Sequence, residues 1–521
     1  MTNYFSIIKP VLNKLTRLNV FDSLDVIRKY VYASIYKRNK VFGQGIENPL
    51  YFGIDIFFAD FLIKNSIIYS SVVREKESLS KAKTRKDIIA PIKNLHDRIC
   101  DNRMEKHPTI WVSSYFFNQL NMQPEGNERV MFYRYYFIYN EPEVLPKIEE
   151  SLGFPLLNYF RMVFLLYVGY INHFFYTKDQ LMKFFPKTPE DGKALNYILS
   201  HISKSLKELN KLCKDEARYD EDRMMEYYAD SPHIEFPLLE NEGKLYCVVP
   251  AYILYAAFNH LYKILNTNNQ KTRDKLATNF EKYIGAILES YFSVNGNKKI
   301  NYRSEISYGG EKTSDWIIWD KTDICFIDCK IKRITISGQK ANSIDYDIID
   351  YILQEKPFSN SKKDVISNLP EGLTKDIVIF GKDLGKIFVC YDNYQENRID
   401  EFPYMPNKRF HAMLLTFEQN LNNVDEVKNA IIKIAQCYRD YKSKNNKIIL
   451  DDEIIFLSSR YFERHIPLIA KKGLSEYMNI IKQGNLYCCG EANEFLSNQF
   501  KKEVLNDLLK DLDVNIDALK K

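Results

Sequence analysis

The sequence predicts an α/β core held between mostly helical regions. Apolar residues recur at helical spacing through much of 1–230, and helical periodicity returns after about residue 420. Between them, over 271–415, short apolar runs rich in strand formers alternate with helical segments. A chain of 521 residues is long enough for about three domains. Its 14% aromatic content excludes a mainly disordered protein.

Changes in this pattern predict four segments. Residues 1–230 form a mostly helical N-terminal region, and 231–270 supply a strand pair, a helix and a linker. Residues 271–415 form the α/β domain, a central mixed sheet flanked by helices, and 416–521 form a smaller helical region. The boundaries fall where apolar periodicity changes or where polar residues cluster.

Helix and strand signals are clearest in a few places. Two helix starts have capping residues, at Thr177 and at Thr188. In the α/β domain a helix is predicted over 275–292. Candidate strands are 300–308, 316–319, 324–330, 376–379, 386–391 and 413–416. Helices are predicted after it, over 424–443, over 460–472 and from 494 onward.

Composition narrows the class of protein. Lys and Arg total 73 against 68 Asp and Glu, so any nucleic-acid site must be local, because a net charge of +5 is too small for a uniformly basic coat. The nine cysteines contain no CxxC pair, which argues against zinc and disulfides and favours reduced thiols in a cytoplasm. The most apolar run, 162–171, is shorter than a membrane span requires, so no membrane association is expected.

The strands 316–319 and 324–330 are joined by a short polar link, which predicts a hairpin. A turn symmetric about residues 321 and 322 places Asp315 directly opposite Asp328. Opposite residues share a face, with Cβ atoms about 4.5–5.5 Å apart. Lys330 lies two residues further along, so it shares that face. The register therefore predicts that two carboxylates and one ammonium group converge.

Two carboxylates this close repel each other unless a cation neutralises them. Mg²⁺ is the obvious candidate, since it takes carboxylate and phosphate oxygens and activates water. The preceding helix offers a third acid, Glu281, on a face shared with Ala277 and Gly285, where small side chains leave room for an approaching group. Glu289, nearer the polar side, is the weaker candidate.

This ordered set resembles the PD-(D/E)xK nuclease superfamily, whose fold is called restriction-endonuclease-like. Residues 280–283 (Phe-Glu-Lys-Tyr) match the helix signature, Asp315 matches the aspartate of the second strand, and 328–330 (Asp-Cys-Lys) match D-x-K. Ser314 stands where the name-giving proline is expected. The resemblance covers 271–415, and each motif alone is weak because D-x-K is common by chance.

The resemblance implies a Mg²⁺-dependent deoxyribonuclease, with Mn²⁺ as a substitute metal. Glu281, Asp315 and Asp328 would then be metal ligands, joined by the main-chain carbonyl of Cys329, and Lys330 would be the catalytic lysine. By analogy, the helical additions place such a protein in bacterial restriction or antiphage defence. They would serve recognition, dimerisation or regulation, with a second copy or a partner defence protein bound.

Alternatives stay open at this point. Lys312, Lys332 and Arg333 are candidates for binding the nucleic-acid backbone, but solvated strand-end charges are nearly as good an explanation. The same site would serve a ribonuclease. A catalytically inactive nuclease-like scaffold or binding module, or a surface hairpin with incidental charges, also accounts for the sequence.

Other motifs fail. Residues 381–387 are one residue short of a P-loop and lack its Ser or Thr. Asp345, Asp347 and Asp350 have the wrong spacing for an EF-hand, which favours a helix surface. No Ser-His-Asp set can be assembled from the sequence alone.

Overall fold

A computed structural model divides the chain into two compact units, each with its own core. Unit 1 is Met1–Thr272 with Gln499–Lys521, and unit 2 is Arg273–Asn498. The structure describes residues 4–35, 40–41, 44–45, 56–72, 79, 81, 87–88, 91, 128–215, 231–266, 270–294, 300–334, 344–358, 363–418, 421, 425–443, 453–482 and 493–509.

Helices and strands are numbered here in chain order. The helices are α1 (Tyr4–Leu15), α2 (Val20–Ile35), α3 (Ile56–Tyr69), α4 (Glu128–Tyr139), α5 (Leu145–Leu152), α6 (Leu156–Asn172), α7 (Lys178–Phe184), α8 (Pro189–Ile202), α9 (Leu206–Asp215), α10 (Pro232–Glu235), α11 (Ala251–Asn266), α12 (Gln270–Glu289), α13 (Tyr346–Glu355), α14 (Lys363–Ser367), α15 (Leu373–Gln395), α16 (Asp425–Ser443), α17 (Ser459–Lys472), α18 (Leu474–Lys482), α19 (Glu494–Gln499) and α20 (Leu505–Leu509). The strands are β1 (Lys40–Val41), β2 (Gln44–Gly45), β3 (Phe175–Thr177), β4 (Ser203–Ser205), β5 (Leu238–Asn241), β6 (Lys244–Cys247), β7 (Asn301–Ser304), β8 (Ser307–Tyr308), β9 (Glu311–Lys312), β10 (Trp316–Trp319), β11 (Asp323–Lys330), β12 (Arg409–Thr416) and β13 (Ile454–Ser458).

Unit 1 is mostly helical, with a four-stranded sheet in the order β3-β6-β5-β4. A strand pair does follow residue 231, as the antiparallel strands β5 and β6, but the first strand, predicted over 233–239, begins only at Leu238. Pro232–Glu235 forms the short helix α10 instead, with a proline at its first position. Aromatic rings fill the core: the ring centroid of Phe132 lies 5.4 Å from that of Phe160 and 5.3 Å from that of Phe258. The N-caps predicted at Thr177 and Thr188 are also confirmed, because each hydroxyl accepts a hydrogen bond from the main-chain N–H three residues on.

The apolar run predicted to be a buried helix lies in α6. Ten of the 17 residues of α6 are buried, which is typical of a core helix. Among the helices that the structure describes, none taken singly has the length and apolar character to cross a membrane. Of the helix pairs within the described ranges, α5 and α6 together do have that length and apolar character, but they are bent by 68°.

Unit 2 is built around a five-stranded mixed sheet in the order β13-β12-β11-β10-β7. Strands β7, β10 and β11 are antiparallel neighbours, whereas β11, β12 and β13 run parallel. Helix α15 covers the face that carries Phe326, whose ring centroid lies 5.5 Å from that of Tyr394. Helix α12 packs on the other face, against Trp316, because Trp316 pairs with Ile327 and so points away from Phe326. Helices on both faces of a mixed sheet agree with the α/β prediction.

Two of the predicted strands are wrong. Residues 376–379 and 386–391 both lie in α15, a single helix of 23 residues. Its buried residues Ile377, Phe380, Leu384 and Ile387 follow helical spacing. The two glycines in this segment favoured a prediction of two strands joined by a turn. In the structure both glycines lie within the helix and face a neighbouring helix.

The two glycines, Gly381 and Gly385, let α15 approach α16 closely. A Cβ atom built on Gly381 would lie 2.6 Å from the Cβ of Ile434, and one built on Gly385 would lie 2.8 Å from Cδ1 of Tyr438. Neither distance is tolerable between carbon atoms. The motif that superficially resembled a P-loop is therefore a helix-packing surface.

Other element boundaries also differ from the prediction. The strand predicted over 300–308 is interrupted at Glu305, which separates β7 from β8. Strand β13 lies in a region that was predicted to be helical. Because β13 pairs with β12, the sheet continues past residue 415, where the sequence interpretation ended the α/β domain. Unit 2 accordingly runs on to Asn498. The helices predicted over 424–443 and 460–472 agree with α16 and α17 to within one residue.

A buried ion pair joins α15 to α16. The Arg439 guanidinium donates from Nε and Nη2 to the two carboxylate oxygens of Asp392, at 2.8 and 2.6 Å. Ser443 Oγ donates to the same carboxylate at 2.6 Å. Both charged side chains are only 2% exposed. A pair this deep is costly to break, because the remaining charge stays out of water.

We expect Asp392→Ala to lower the free energy of unfolding of unit 2 by about 3–5 kcal/mol, because Arg439 would keep a buried charge without its counter-ion. Urea unfolding followed by the fluorescence of Trp316 and Trp319 measures the change. The matched control is Asp400→Ala, which removes an exposed carboxylate from the same unit. Equal stability of the two variants would contradict the prediction.

Candidate active site

The hairpin that carries the predicted acids has the predicted register. Trp316 pairs with Ile327, and Trp319 pairs with Ile324. Continued by one residue, this register places Asp315 opposite Asp328. Strand β10 has the predicted bounds, and β11 begins one residue earlier than predicted. The length of the turn was sufficient to predict that Asp315 lies opposite Asp328.

The polar groups of the hairpin hold one another in place. Lys330 Nζ lies 2.6 Å from Asp328 Oδ2, so the two side chains share a face as predicted. Asp315 Oδ2 accepts a hydrogen bond of 2.6 Å from the main-chain N–H of Cys329. Asp328 is buried, and Asp315 and Lys330 are partly buried. The acid–acid–lysine set is thus assembled within one hairpin.

Glu281 reaches the same group of charges from α12. Trp316 of β10 fixes this helix, because its indole Nε1 donates to the main-chain oxygen of Glu281 at 3.1 Å. The indole also fills the space beside Gly285, where an added Cβ would lie 2.3 Å from Trp316 Cζ2. The room that small residues were predicted to leave on this face is therefore occupied, at Gly285, by a tryptophan. Glu289, the weaker candidate, is exposed. Among the described contacts it has none with the charged residues of the hairpin.

The carboxylates perturb one another's protonation. Burial, followed by repulsion from Asp328, raises the pKa of Asp315 to about 8. Burial also raises the pKa of Glu281, and the neighbouring Asp328 adds to the effect while Lys330 opposes it. At neutral pH and without a cation, Asp315 therefore holds a proton. Strongly perturbed carboxyl pKa values of this kind are typical of functional sites.

Two further charged residues join the site from α15, and the sequence interpretation missed both. Burial alone would lower the pKa of Lys330, but Asp328 and Asp383 outweigh it and the pKa is raised well above its ordinary value. Asp383 in turn pairs with Lys386, whose Nζ lies 2.6 Å from Asp383 Oδ1. Lys386 is exposed, whereas only 15% of the Asp383 side chain is. Their i, i+3 spacing would have indicated a shared helix face had the segment been recognised as a helix.

The three cations predicted to bind nucleic acid have different surroundings. The Lys312 side chain is 66% exposed and pairs with Glu305 at 2.7 Å. Lys332 Nζ lies 3.2 Å from the buried Asp376. Arg333 is held in an ion pair at 2.6 Å, and only 11% of its side chain is exposed. Lys312 is therefore the most accessible of the three to a phosphate backbone.

The donor groups fit an oxygen-preferring divalent cation in their chemistry. Within the described ranges, no three His, Cys, Asp or Glu side chains are already grouped as a metal site. Binding a cation would require Asp315 to lose its proton, whereas Asp328 could bind through Oδ1 while its Oδ2 stays paired with Lys330. Burial raises the pKa of the Cys329 thiol well above its ordinary value, so Cys329 would contribute its main-chain carbonyl and not a thiolate.

The structure also brings together a Ser-His-Asp set, in unit 1. Ser231 Oγ hydrogen-bonds His233 Nδ1, and His233 Nε2 lies 2.9 Å from Asp60 Oδ1. The Tyr252 hydroxyl donates to both Asp60 oxygens, at 3.0 and 2.9 Å. The adjoining cavity measures about 10 Å³, which is space for a single water at most. Among the described residues there is thus no room for a substrate beside the set, and its hydrogen bonds join buried side chains as a structural network.

The acidic cluster on α13 is a helix start. Asp345 is the N-cap residue, and its Oδ1 accepts a hydrogen bond of 3.2 Å from the Ile348 N–H. Asp347 and Asp350 are exposed on the same helix. The preference for a helix surface over a calcium loop is confirmed.

Comparisons with protein-family models, with curated proteins and with solved structures found no match for the chain. The candidate active site is a hairpin with two facing carboxylates and a lysine, joined by a glutamate from one helix and an Asp–Lys pair from another.

We expect Glu281→Gln to lower by about 10²-fold the DNA cleavage that the sequence resemblance implies, because it removes one carboxylate from the group that would hold the cation. Glu289→Gln is the matched control, since it makes the same change two helical turns along α12 at an exposed position. Initial rates of DNA cleavage at saturating Mg²⁺ measure the difference. Equal rates for the two variants would remove Glu281 from the site.

Proposed function

We propose that this protein is a Mg²⁺-dependent nuclease that hydrolyses phosphodiester bonds of DNA, with a core of the restriction-endonuclease-like type. The observation that carries the proposal is the meeting of Asp315, Asp328 and Lys330 on one face of a hairpin. A chance surface hairpin has no reason to place one buried and one partly buried carboxylate opposite each other beside a lysine, since such an arrangement costs free energy.

The fold supports this proposal. The core reads helix, strand, strand, strand, helix in the order α12, β7, β10, β11 and α15, apart from the short strands β8 and β9 and the helices α13 and α14. The first acid comes from the helix, the second precedes β10, and Asp328 with Lys330 comes from β11. The resemblance to the PD-(D/E)xK superfamily implies a common core of helix, strand, strand, strand and helix, with the acids in this same order.

Each side chain has a role in the proposed reaction. When bound, Mg²⁺ would polarise the scissile phosphodiester and make a water more acidic. Asp315, Asp328 and Glu281 would hold it, together with the carbonyl of Cys329. Lys330, kept charged by its carboxylate neighbours, would position the attacking water or stabilise negative charge on the phosphate.

Residues around this centre would guide the substrate. Lys386 is exposed and belongs to the Lys330 charge network through Asp383, so we assign it a contact with a phosphate next to the scissile one. Lys312 and Lys332 are assigned contacts further along the backbone, and Arg333 an auxiliary one. The resemblance extends the proposal to bacterial restriction or antiphage defence in the cytoplasm, with a second copy of the chain or a defence protein as partner.

The experiment is a cleavage assay on plasmid, linear duplex, single-stranded DNA and RNA, each with Mg²⁺, Mn²⁺ or EDTA. We expect DNA cleavage with either metal and none with EDTA. Cleavage of RNA alone would keep the site and change the substrate. An absence of cleavage on all four substrates would favour the catalytically inactive scaffold and contradict the proposal.

A further inference from the structure

A polar cavity of about 400 Å³ lies in unit 2, within the size range of small-ligand sites. The turn between β8 and β9 forms one wall, with Tyr308 and Glu311, and the C-terminal half of α15 forms another, with Asn393. Asn393 Nδ2 donates to the Tyr308 hydroxyl at 3.0 Å and lies 3.4 Å from Glu311 Oε2. An aromatic ring, an amide and a carboxylate are thus held together at one opening.

The cavity belongs to the same face of α15 as the proposed active site. Asp383, Lys386, Cys390 and Asn393 are spaced three, four and three residues apart, which places them on one stripe of the helix. The Cys390 thiol experiences the charges of both Asp328 and the cavity residue Glu311. At 1.5 Å per residue, Lys386 and Asn393 are roughly 10 Å apart along the helix axis. At a rise of about 3.4 Å per nucleotide, this distance corresponds to about three nucleotides of one strand.

The charges of the cavity favour a neutral ligand. Glu396 and Arg398 pair with each other at 2.6 Å, and Asp392 is neutralised by its buried ion pair. Among the described lining residues this leaves one carboxylate, Glu311, and one ammonium group, Lys442. A phosphate group or another anion would gain little here, whereas a heterocyclic base with donors and acceptors on its edge would be well matched.

We propose that this cavity binds a guanine base. The Tyr308 ring supplies a stacking surface, and the Glu311 carboxylate accepts the two adjacent N–H groups on the Watson–Crick edge, N1–H and N2–H. The Asn393 amide serves the remaining edge atoms. The base belongs to a nucleotide of the substrate strand or to a free guanine nucleotide. The first source rests on the proposed nuclease function, and the second does not.

The first arm of the test measures binding of the four deoxynucleoside monophosphates to the full chain by calorimetry without metal. We expect dGMP to bind best, and Glu311→Gln to weaken it at least about tenfold, because one charge-assisted hydrogen bond is lost. The control is Glu401→Gln, an exposed carboxylate of the same unit outside the cavity, which should bind as wild type does. No dGMP binding up to millimolar concentration, or equal affinity of wild type and Glu311→Gln, would overturn the proposal.

The second arm distinguishes the two sources. The ends produced from a random single-stranded DNA library are sequenced for wild type and Glu311→Gln. Guanine enriched at a fixed distance from the cut, and lost in the variant, assigns the cavity to the substrate strand. Binding of dGMP with no enrichment assigns it to a free nucleotide. If no DNA is cleaved, the nuclease proposal fails while the binding arm still decides the cavity.

Discussion

Asp328→Asn should abolish DNA cleavage, with a fall of about 10³-fold or more in rate. The hairpin register, continued by one residue, places Asp328 opposite Asp315, and Asp328 Oδ2 pairs with Lys330 at 2.6 Å. The amide variant keeps the shape of the side chain but loses the charge that would hold a cation. Lys330→Gln should have a comparable effect, because it removes the only ammonium group on that face of the hairpin among the described residues.

The stability of the variants provides the control for this prediction. Asp328→Asn also weakens the ion pair with Lys330, so circular dichroism and the thermal midpoint of the metal-free variant must show that it is folded at the assay temperature. Asp347→Asn, an exposed acid on α13, should leave both cleavage and stability unchanged. Cleavage is measured on the substrate found in the four-substrate assay. If both Asp328→Asn and Lys330→Gln cleave as fast as wild type, the site assignment is wrong.

The stability of the metal-free protein should decline between about pH 4 and pH 8 because of Asp315. Its pKa is about 8 in the folded state against an ordinary value of 3.8, so the folded state binds this proton more tightly. The stabilisation from this group is therefore complete below about pH 4, and it is lost as the pH rises through 8. A shift this large corresponds to several kcal/mol. Asp315→Asn should abolish this part of the pH dependence.

Mg²⁺ should reverse the decline, since a cation takes the place of the proton. At pH 8.5 we expect Mg²⁺ to raise the thermal midpoint of the wild type and to have little effect on Asp315→Asn. At pH 7, calorimetry in buffers of different ionisation enthalpy should record proton release on Mg²⁺ binding. Binding without proton release, or equal stabilisation of both proteins, would contradict a cation site at Asp315.

The hairpin could be predicted because its information is local. A four-residue polar link between two apolar runs fixes the register, and the register fixes which of Asp315, Asp328 and Lys330 share a face. The same holds for the caps at Thr177 and Thr188, where one side chain satisfies a main-chain N–H a few residues away. Each of these predictions needed only one turn or one strand pair.

The remainder of the site depends on contacts between segments distant in the sequence. Asp383 and Lys386 became visible only once 373–395 was known to be one helix, and its glycines suggest breaks until α16 is present to pack against them. Strand β13 was missed because its partner, β12, lies about 40 residues earlier. Tertiary packing overrides local propensity in such cases.

The indole of Trp316 imposes a constraint on any attempt to engineer or transplant this centre. It is adjacent to Asp315 in the chain, it hydrogen-bonds the main chain at Glu281, and it occupies the space that Gly285 leaves free. The strand acid and the helix acid are thus tied to one ring. Grafting the hairpin onto another scaffold would fail to align the two acids unless the recipient helix also carried a glycine one turn after its glutamate.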